Sequence, residues 1–355
     1  MNPIIAINYY FTEDDLGNRI FSPESKSMLS PYMRAFRSYM AERNVDVVTL
    51  DTVDCHDSNV IAVLYFEYNW RMLSSTRDPF LKEVPYEKRA LVLLEPAIVN
   101  PTMYYTNLLR RRFKTVFTWD LRLQKKYKNC VPIRVPTGAD PTVYRVNPFA
   151  GISFADKKLV VAVSRNRWHY MPQATFGLRR KIYRYLQKHA PDDFDLYGLD
   201  WERPCSKWER LLGRNYLKCW RGEILGGWDA KVRKIANYRF SICFENSVWN
   251  PGYISEKIFD CFCARSVPVY LGSKGNEMLL PRGTYIDYRD FNSPRKLLEH
   301  LKGIGKTDYN RYIERIDAFL ESDEPRKFAT TEMYRIIYER LMEEHNETIN
   351  CYTDV

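Results

Sequence analysis

The chain is predicted to be an α/β protein with two doubly wound parallel-sheet domains, and three observations predict this. Short, continuously apolar runs alternate with segments of helical periodicity. Runs that are apolar at every position suit strands buried on both faces, as in parallel sheets covered by helices. The 355 residues exceed the roughly 250–300 that one hydrophobic core usually serves. The alternation is interrupted around Val135–Asp156, where Pro136, Gly138, Pro141, Pro148 and Gly151 give the composition of a linker. Domains are therefore expected at 1–150 and 151–355, the second with a charged helical tail from Ser293 onward. Two such domains facing across a cleft is the simplest architecture, and ligands of such sheets bind beyond the carboxyl ends of the strands.

In chain order, Pro3–Asn8, Val45–Leu50, Val60–Phe66, Ala90–Leu94 and Thr115–Thr118 read as strands of the first half. Pro31–Arg43 and Pro101–Arg112 read as helices between them. Strands of the second half are expected at Lys158–Ser164, Phe194–Tyr197, Arg239–Phe244 and Val267–Leu271. Helices there are expected at Phe176–His189, Trp228–Tyr238 and Ser255–Ala264. No internal repeat or low-complexity segment occurs.

Hydrophobic residues at 45% and charged residues at 28% are ordinary for a globular chain. The 26 tyrosines would suit a sugar-binding cleft, although composition alone favours an aromatic-rich core. A net charge of +10 points to anionic partners. The basic residues are scattered, and the densest cluster, Arg110-Arg111-Arg112, is too short for a nucleic-acid-binding arm, so no nucleic-acid partner is expected. The 8 cysteines include no CxxC pair, and Cys261-x-Cys263 would point to different helix faces, which argues against a zinc site. No secretory leader and no run of roughly 18 apolar residues is visible. A reduced, cytoplasmic protein is expected; a luminal domain without its anchor is the alternative, for which Asn346-Glu347-Thr348 would be a glycosylation sequon.

The most informative stretch runs from Tyr238 to Gly272. An apolar strand ends in Phe244-Glu245-Asn246-Ser247, and a loop comes next with Trp249-Asn250-Pro251-Gly252-Tyr253. Ser255 then has the character of a helix N-cap. Lys257 falls in the first helical turn, where the macrodipole disfavours a cation by about 0.3–1 kcal/mol. A bound anion such as phosphate would reverse that sign. Pairing with a neighbour such as Glu256 would also offset it, and charge logic leaves the two readings level.

Phe244-Glu245-Asn246-Ser247, Gly252-Tyr253-Ile254-Ser255-Glu256-Lys257-Ile258 and Val267-Pro268-Val269-Tyr270-Leu271-Gly272 together resemble the signature of the α1,3-fucosyltransferases, glycosyltransferase family 10. Asp195-Leu196-Tyr197-Gly198 is similar to the strand-to-glycine turn that precedes it in that family. Ser255 stands where the family usually has Thr, and Val248–Pro251 is locally different. The resemblance implies a GT-B fold, two Rossmann-like domains with GDP-fucose on the second and a glycan acceptor mainly on the first. It carries diphosphate contact to Lys257, nucleotide or sugar contact to Glu256, and donor-site lining to Asn246 and Tyr253. It also carries a diphosphate-neutralising arginine to Arg179 on the predicted helix Phe176–His189, with the adjacent Arg180 as the residue that could take its place.

For the general base the resemblance points to a glutamate at the end of a strand in the first domain. Glu95, after Ala90–Leu94, fits; Glu67, after Val60–Phe66, is its main competitor. Phe117-Thr118-Trp119 and Val135-Pro136-Thr137-Gly138 are similar to the family's stretches downstream of the base, which favours Glu95. The implied reaction is inverting transfer of L-fucose to a hydroxyl of an oligosaccharide or glycoconjugate, α1,3-linked to a GlcNAc- or Glc-type residue. No cofactor is expected to be required, since Asp51-Thr52-Val53-Asp54 lacks Asp-x-Asp spacing; Mn2+ or Mg2+ would at most stimulate. The positive charge leaves room for peripheral contact with anionic lipid. The alternatives are a transferase using another GDP-sugar, a non-catalytic lectin-like relative and, from a different class, a basic nucleic-acid-binding protein.

Overall fold

A computed structural model of the chain describes residues 2–8, 15–27, 29–67, 83–101, 112–137, 140–211 and 217–353. It forms two compact units. The first comprises Met1–Arg134 with Thr330–Val355, and the second comprises Val135–Ala329.

The first unit contains a six-stranded sheet in the order β2-β1-β3-β4-β5-β6. Its strands are β1 (Ile4–Asn8), β2 (Asp46–Thr49), β3 (Val60–Phe66), β4 (Arg89–Leu93), β5 (Thr115–Thr118) and β6 (Cys130–Pro132). Neighbours pair in parallel throughout. Two apolar clusters use this sheet: Ile5, Ile7, Leu64 and Val92 belong to one, Ala6, Val63, Leu91 and Val116 to the other. Consecutive residues of one strand thus feed opposite faces, which is why these strands read as unbroken apolar runs. The helix Ser30–Ala41 packs Met33, Phe36 and Met40 into the first cluster. The expected helix Pro101–Arg112 lies, apart from its two ends, outside the described residues.

The second unit carries a five-stranded parallel sheet in the order β11-β10-β9-β7-β8. Its strands are β7 (Lys158–Val163), β8 (Phe194–Tyr197), β9 (Tyr238–Phe244), β10 (Val267–Leu271) and β11 (Ile286–Asp287). Phe240, Ile242 and Phe244 of β9 are buried in its main cluster, at about 1.5–3 kcal/mol of transfer energy per side chain. Because β8 and β9 flank β7 on opposite sides, the strand order reverses at β7, and the crevice beyond the ends of β7 and β9 is the ligand position such sheets favour.

The expected domain division is corrected at two points. The units part after Arg134 rather than near 150, and the last helix, Thr330–Thr353, belongs to the first unit. Met333, Tyr334, Ile337 and Leu341 supply its apolar face to the cluster of β1 and β3, and the Tyr334 hydroxyl donates to the Tyr32 carbonyl at 3.0 Å. The expected helix Trp228–Tyr238 runs instead from Gly227 to Ile235, and Tyr238 opens β9. Among the described residues no helix is long and apolar enough to cross a membrane.

Candidate active site

In the second unit, the end of β9 and the starts of two helices are tied together around one residue, Glu245. Glu245, directly after β9, extends the sheet by donating its N–H to the Leu271 carbonyl at 2.8 Å. Its side chain is fully buried. The carboxylate accepts from the Ser255 N–H at 2.8 Å and from the Ser255 hydroxyl at 2.6 Å. Burial pushes the Glu245 carboxyl up, against the opposing pull of Lys257 and the Ser255 hydrogen bonds. Ser255 occupies the N-cap position of the helix Glu256–Cys263, as expected, but its hydroxyl makes no cap bond. It bridges instead: it donates to Glu245 and accepts from Lys257 Nζ at 2.9 Å.

Lys257 also lies 3.8 Å from Glu245 and 3.5 Å from Glu256. The protein itself therefore offsets the cation in the first helical turn, so the position of Lys257 does not by itself demand a phosphate. Burial opposes ionisation of Glu256, but Lys257 and Lys231 outweigh it and hold the carboxyl down to about 2.

Arg179 is in a different condition. It sits in the first turn of the helix Phe176–His189, which comes after β7, and is 5% exposed. Its Nη2 donates to the Phe244 carbonyl and, at 3.1 Å, to Asn246 Oδ1. Its Nε is buried with no acceptor, and among the described residues no carboxylate forms an ion pair with it. Burial pushes this guanidinium down. Burying a guanidinium with an unmet donor and no ion pair is costly, so an arriving anion would complete the site. Arg180 meets a different fate: Asn166 and Cys205 accept from its Nη1, and Glu209 pairs with its Nη2. Of the two neighbours, Arg179 is the one buried with an unmet Nε donor and no ion pair.

The surrounding loops are locked in place. The Thr175 hydroxyl donates to the Glu245 carbonyl, and the Thr175 N–H donates to the Asn246 carbonyl at 3.1 Å. Asn276 is buried and holds the loop before Ser255: it accepts from the Gly252 N–H at 2.9 Å and donates to the Tyr253 carbonyl at 2.8 Å. Gly252 adopts φ +97°, which an L side chain rarely tolerates. Tyr253 is itself buried at this turn. Arg179, Asn246, Tyr253, Glu256 and Lys257, chosen from sequence, thus all lie on the segments joined at the ends of β7 and β9. Glu245, Ser255 and Asn276 organise them and were not chosen. Glu245 was visible as the acid of Phe244-Glu245-Asn246-Ser247, but its burial was not.

The family model of the C-terminal domain of glycosyltransferase family 10 (fucosyltransferase) matches residues 156–335, half of the chain and the whole of the arrangement just described. The chain belongs to glycosyltransferase family 10. Over 79 residues it is 42% identical to a mouse 4-galactosyl-N-acetylglucosaminide 3-alpha-L-fucosyltransferase, covering 22% of each chain. Over 106 residues it is 36% identical to a cattle 3-galactosyl-N-acetylglucosaminide 4-alpha-L-fucosyltransferase, covering 29% of this chain and 28% of that one. The matched stretches span less than a third of these curated relatives. Among solved structures, an α1,3-fucosyltransferase with GDP-fucose aligns with a TM-score of 0.50 at 13% identity, over 96% of this chain and 90% of the other. An Anabaena protein in complex with UDP-glucose aligns with a TM-score of 0.56 at 12% identity, over 97% and 100%. At such identities the likeness establishes the GT-B fold.

In the first unit of this family 10 protein, the two carboxylates considered for the base are placed very differently. Glu95 comes just after β4 and is exposed. Glu67 comes directly after β3, is buried, and adopts φ +63°. Its Oε1 accepts from the backbone N–H groups of Leu94 and, at 2.7 Å, Glu95; its Oε2 accepts from Asn100 Nδ2 at 2.7 Å. Burial pushes the Glu67 carboxyl up to about 7, despite those three hydrogen bonds. Of the described residues, one group has metal-ligating character, the consecutive Asp54, Cys55 and His56 of this unit.

Proposed function

We propose that the chain transfers L-fucose from GDP-fucose to a glycan hydroxyl with inversion at the anomeric carbon, forming an α1,3 linkage to a GlcNAc- or Glc-type residue. The observation that carries the donor side of this reading is Arg179: a buried guanidinium with an unused Nε donor, at the strand-order reversal of the second sheet and inside the family 10 match. A diphosphate supplies the missing anion, and a guanidinium suits phosphate oxygens because its planar fork can bind them bidentately. Fucose as the sugar is supported by the family and by the relatives' names.

In this mechanism the exposed Glu95 carboxylate takes the proton of the acceptor hydroxyl. The acceptor oxygen bonds to the anomeric carbon as the bond to the diphosphate breaks, through an oxocarbenium-like transition state. GDP leaves with the bonding electrons. Arg179, Lys257 and the positive N-terminal end of Glu256–Cys263 stabilise the charge that develops on it. Lys257 reaches phosphate by loosening its contacts with Ser255 and the two glutamates. Because these groups supply the neutralising charge, the reaction is proposed to need no metal, with Mn2+ or Mg2+ at most stimulating it.

Calorimetric titration with GDP-fucose, GDP-mannose and UDP-glucose tests the donor assignment: GDP-fucose should bind most tightly, and preference for either of the others would sink it. Glu95→Ala should lower transfer by roughly a hundredfold or more while donor binding persists. Near-normal transfer by that folded variant would remove Glu95 as the base.

A further inference from the structure

We propose that Glu67 is a positioning residue for fucosyl transfer, a buried clamp whose carboxylate fixes the Leu94–Glu95 backbone and thereby sets where the Glu95 side chain stands. The proposal rests on the reading of Glu95 as the general base. The clamp is made of several independent contacts on one short stretch of chain. Glu67 Oε1 receives the N–H groups of Leu94 and Glu95, the two residues on either side of the peptide that leads into the base. The carbonyl of that peptide, on Leu94, accepts from the indole Nε1 of the fully buried Trp119 at 3.0 Å. Asn100 Nδ2 braces the other carboxylate oxygen, so the clamp is itself held.

The backbone of Glu67 argues for the same role. Its N–H still donates to the Val92 carbonyl at 2.9 Å, continuing the pairing of β3 with β4. The chain then turns into the left-handed region at φ +63°, a conformation that is uncommon for a residue with a long side chain. The turn directs the carboxylate sideways to the end of β4, where an ordinary extended residue would alternate across the sheet. Strain of this kind persists only where the surroundings over-determine it, and it gathers at functional sites. A solvated acid at a strand end would need neither the strain nor the burial. With both oxygens engaged and the group buried, Glu67 holds a backbone in place and is not the group that meets the acceptor.

Catalysis by proton transfer is sensitive to placement, and a displacement of about 1 Å can cost on the order of a hundredfold. The test compares kcat, donor KM and melting temperature for Glu67→Gly, Glu67→Gln, Trp119→Phe, Glu95→Gln and the double variant Glu95→Gln/Glu67→Gly. Glycine tolerates the left-handed backbone, so the first substitution removes the clamp without adding strain. Glutamine keeps an oxygen able to accept both N–H groups. Expected are a kcat loss of about tenfold to a hundredfold for Glu67→Gly with donor KM within about twofold, substantial recovery in Glu67→Gln, and no further loss when Glu67→Gly is added to Glu95→Gln.

Full kcat in Glu67→Gly overturns the proposal, as does an equal loss in the glutamine variant or a loss confined to KM. If Glu67→Gly does not fold, Trp119→Phe decides: it releases the same peptide, and unchanged kcat there overturns the clamp. Near-normal turnover of Glu95→Gln would instead refute the assignment of the base. Near-normal Glu95→Gln with an inactive Glu67→Gln would overturn both and move the base to Glu67.

Discussion

Replacing Arg179 with methionine separates its structural and functional roles, because the two predict opposite changes. Methionine is unbranched and can occupy much of the space of the arginine stem without its charge. In the free protein the substitution removes two hydrogen bonds, to the Phe244 carbonyl and to Asn246 Oδ1. Each loss leaves an acceptor unsatisfied, at about 1–3 kcal/mol where that acceptor is buried. It also removes a buried cation that has no carboxylate partner and an Nε with no acceptor, a desolvation penalty of several kcal/mol. The two effects are of similar size and opposite sign, so the ligand-free variant should melt close to the natural protein. A functional group held at a cost to stability behaves this way. With GDP the balance tips: one charge-assisted hydrogen bond from Nε contributes about 1.5–3 kcal/mol, roughly ten- to 150-fold in Kd. Calorimetry should show that weakening, and GDP should raise the melting temperature of the natural protein more than that of the variant. A variant that melts well below the natural protein yet binds GDP equally well would refute the reasoning and make Arg179 a structural residue.

Stability should fall as pH rises from about 5 to 8: the Glu67 carboxyl lies near 7 in the folded chain against an ordinary 4.5, so across that window the folded state binds more protons. The effect is at most on the order of 3 kcal/mol, and chemical denaturation at pH 5 and pH 8 should show a smaller difference in Glu67→Gln than in the natural protein. Ser255→Ala removes the hydroxyl shared by Glu245 and Lys257; it should cost about 1–3 kcal/mol in urea denaturation and raise the donor KM, and an unchanged midpoint would contradict the bridge. Gly198→Ala places a Cβ 2.2 Å from the Ser164 carbonyl at φ +124°, so its melting temperature should drop by several degrees or more. Transfer assayed after treatment with EDTA should persist, and abolished activity that Mn2+ restores would overturn the metal-independent mechanism.

The two sheets were legible because their strands are buried on both faces, and a continuous apolar run such as Val60–Phe66 or Leu159–Val163 needs no long-range information to be read. The donor-side segment was legible for another reason: the strand end, the turn glycine and the helix start are local, and their order survives as a motif. Roles that depend on contact across the chain were not legible. Arg179 and Arg180 are adjacent and chemically identical, and they are distinguished by distant partners, above all the Glu209 that pairs with Arg180. Ser255 was correctly placed at a helix start, but its hydroxyl serves Glu245, ten residues earlier, in preference to the helix. For Lys257 charge logic leaves anion binding and pairing with Glu256 level, and it does not foresee the second carboxylate, Glu245, that lies beside it.

The α/β class, the two parallel sheets, the family and the short segments from which the donor site is built are all readable from the order of residues alone. Each comes from local periodicity or from an ordered run of residues. Packing across the chain set the rest: Thr330–Thr353 returns to the first unit, Arg179 is buried with an unmet Nε and no ion pair, and Glu67 lies beneath the backbone of Glu95. Those facts depend on which groups are excluded from water together. Desolvation and partner choice are set by the packing of distant elements, so no window of sequence around these residues contains them.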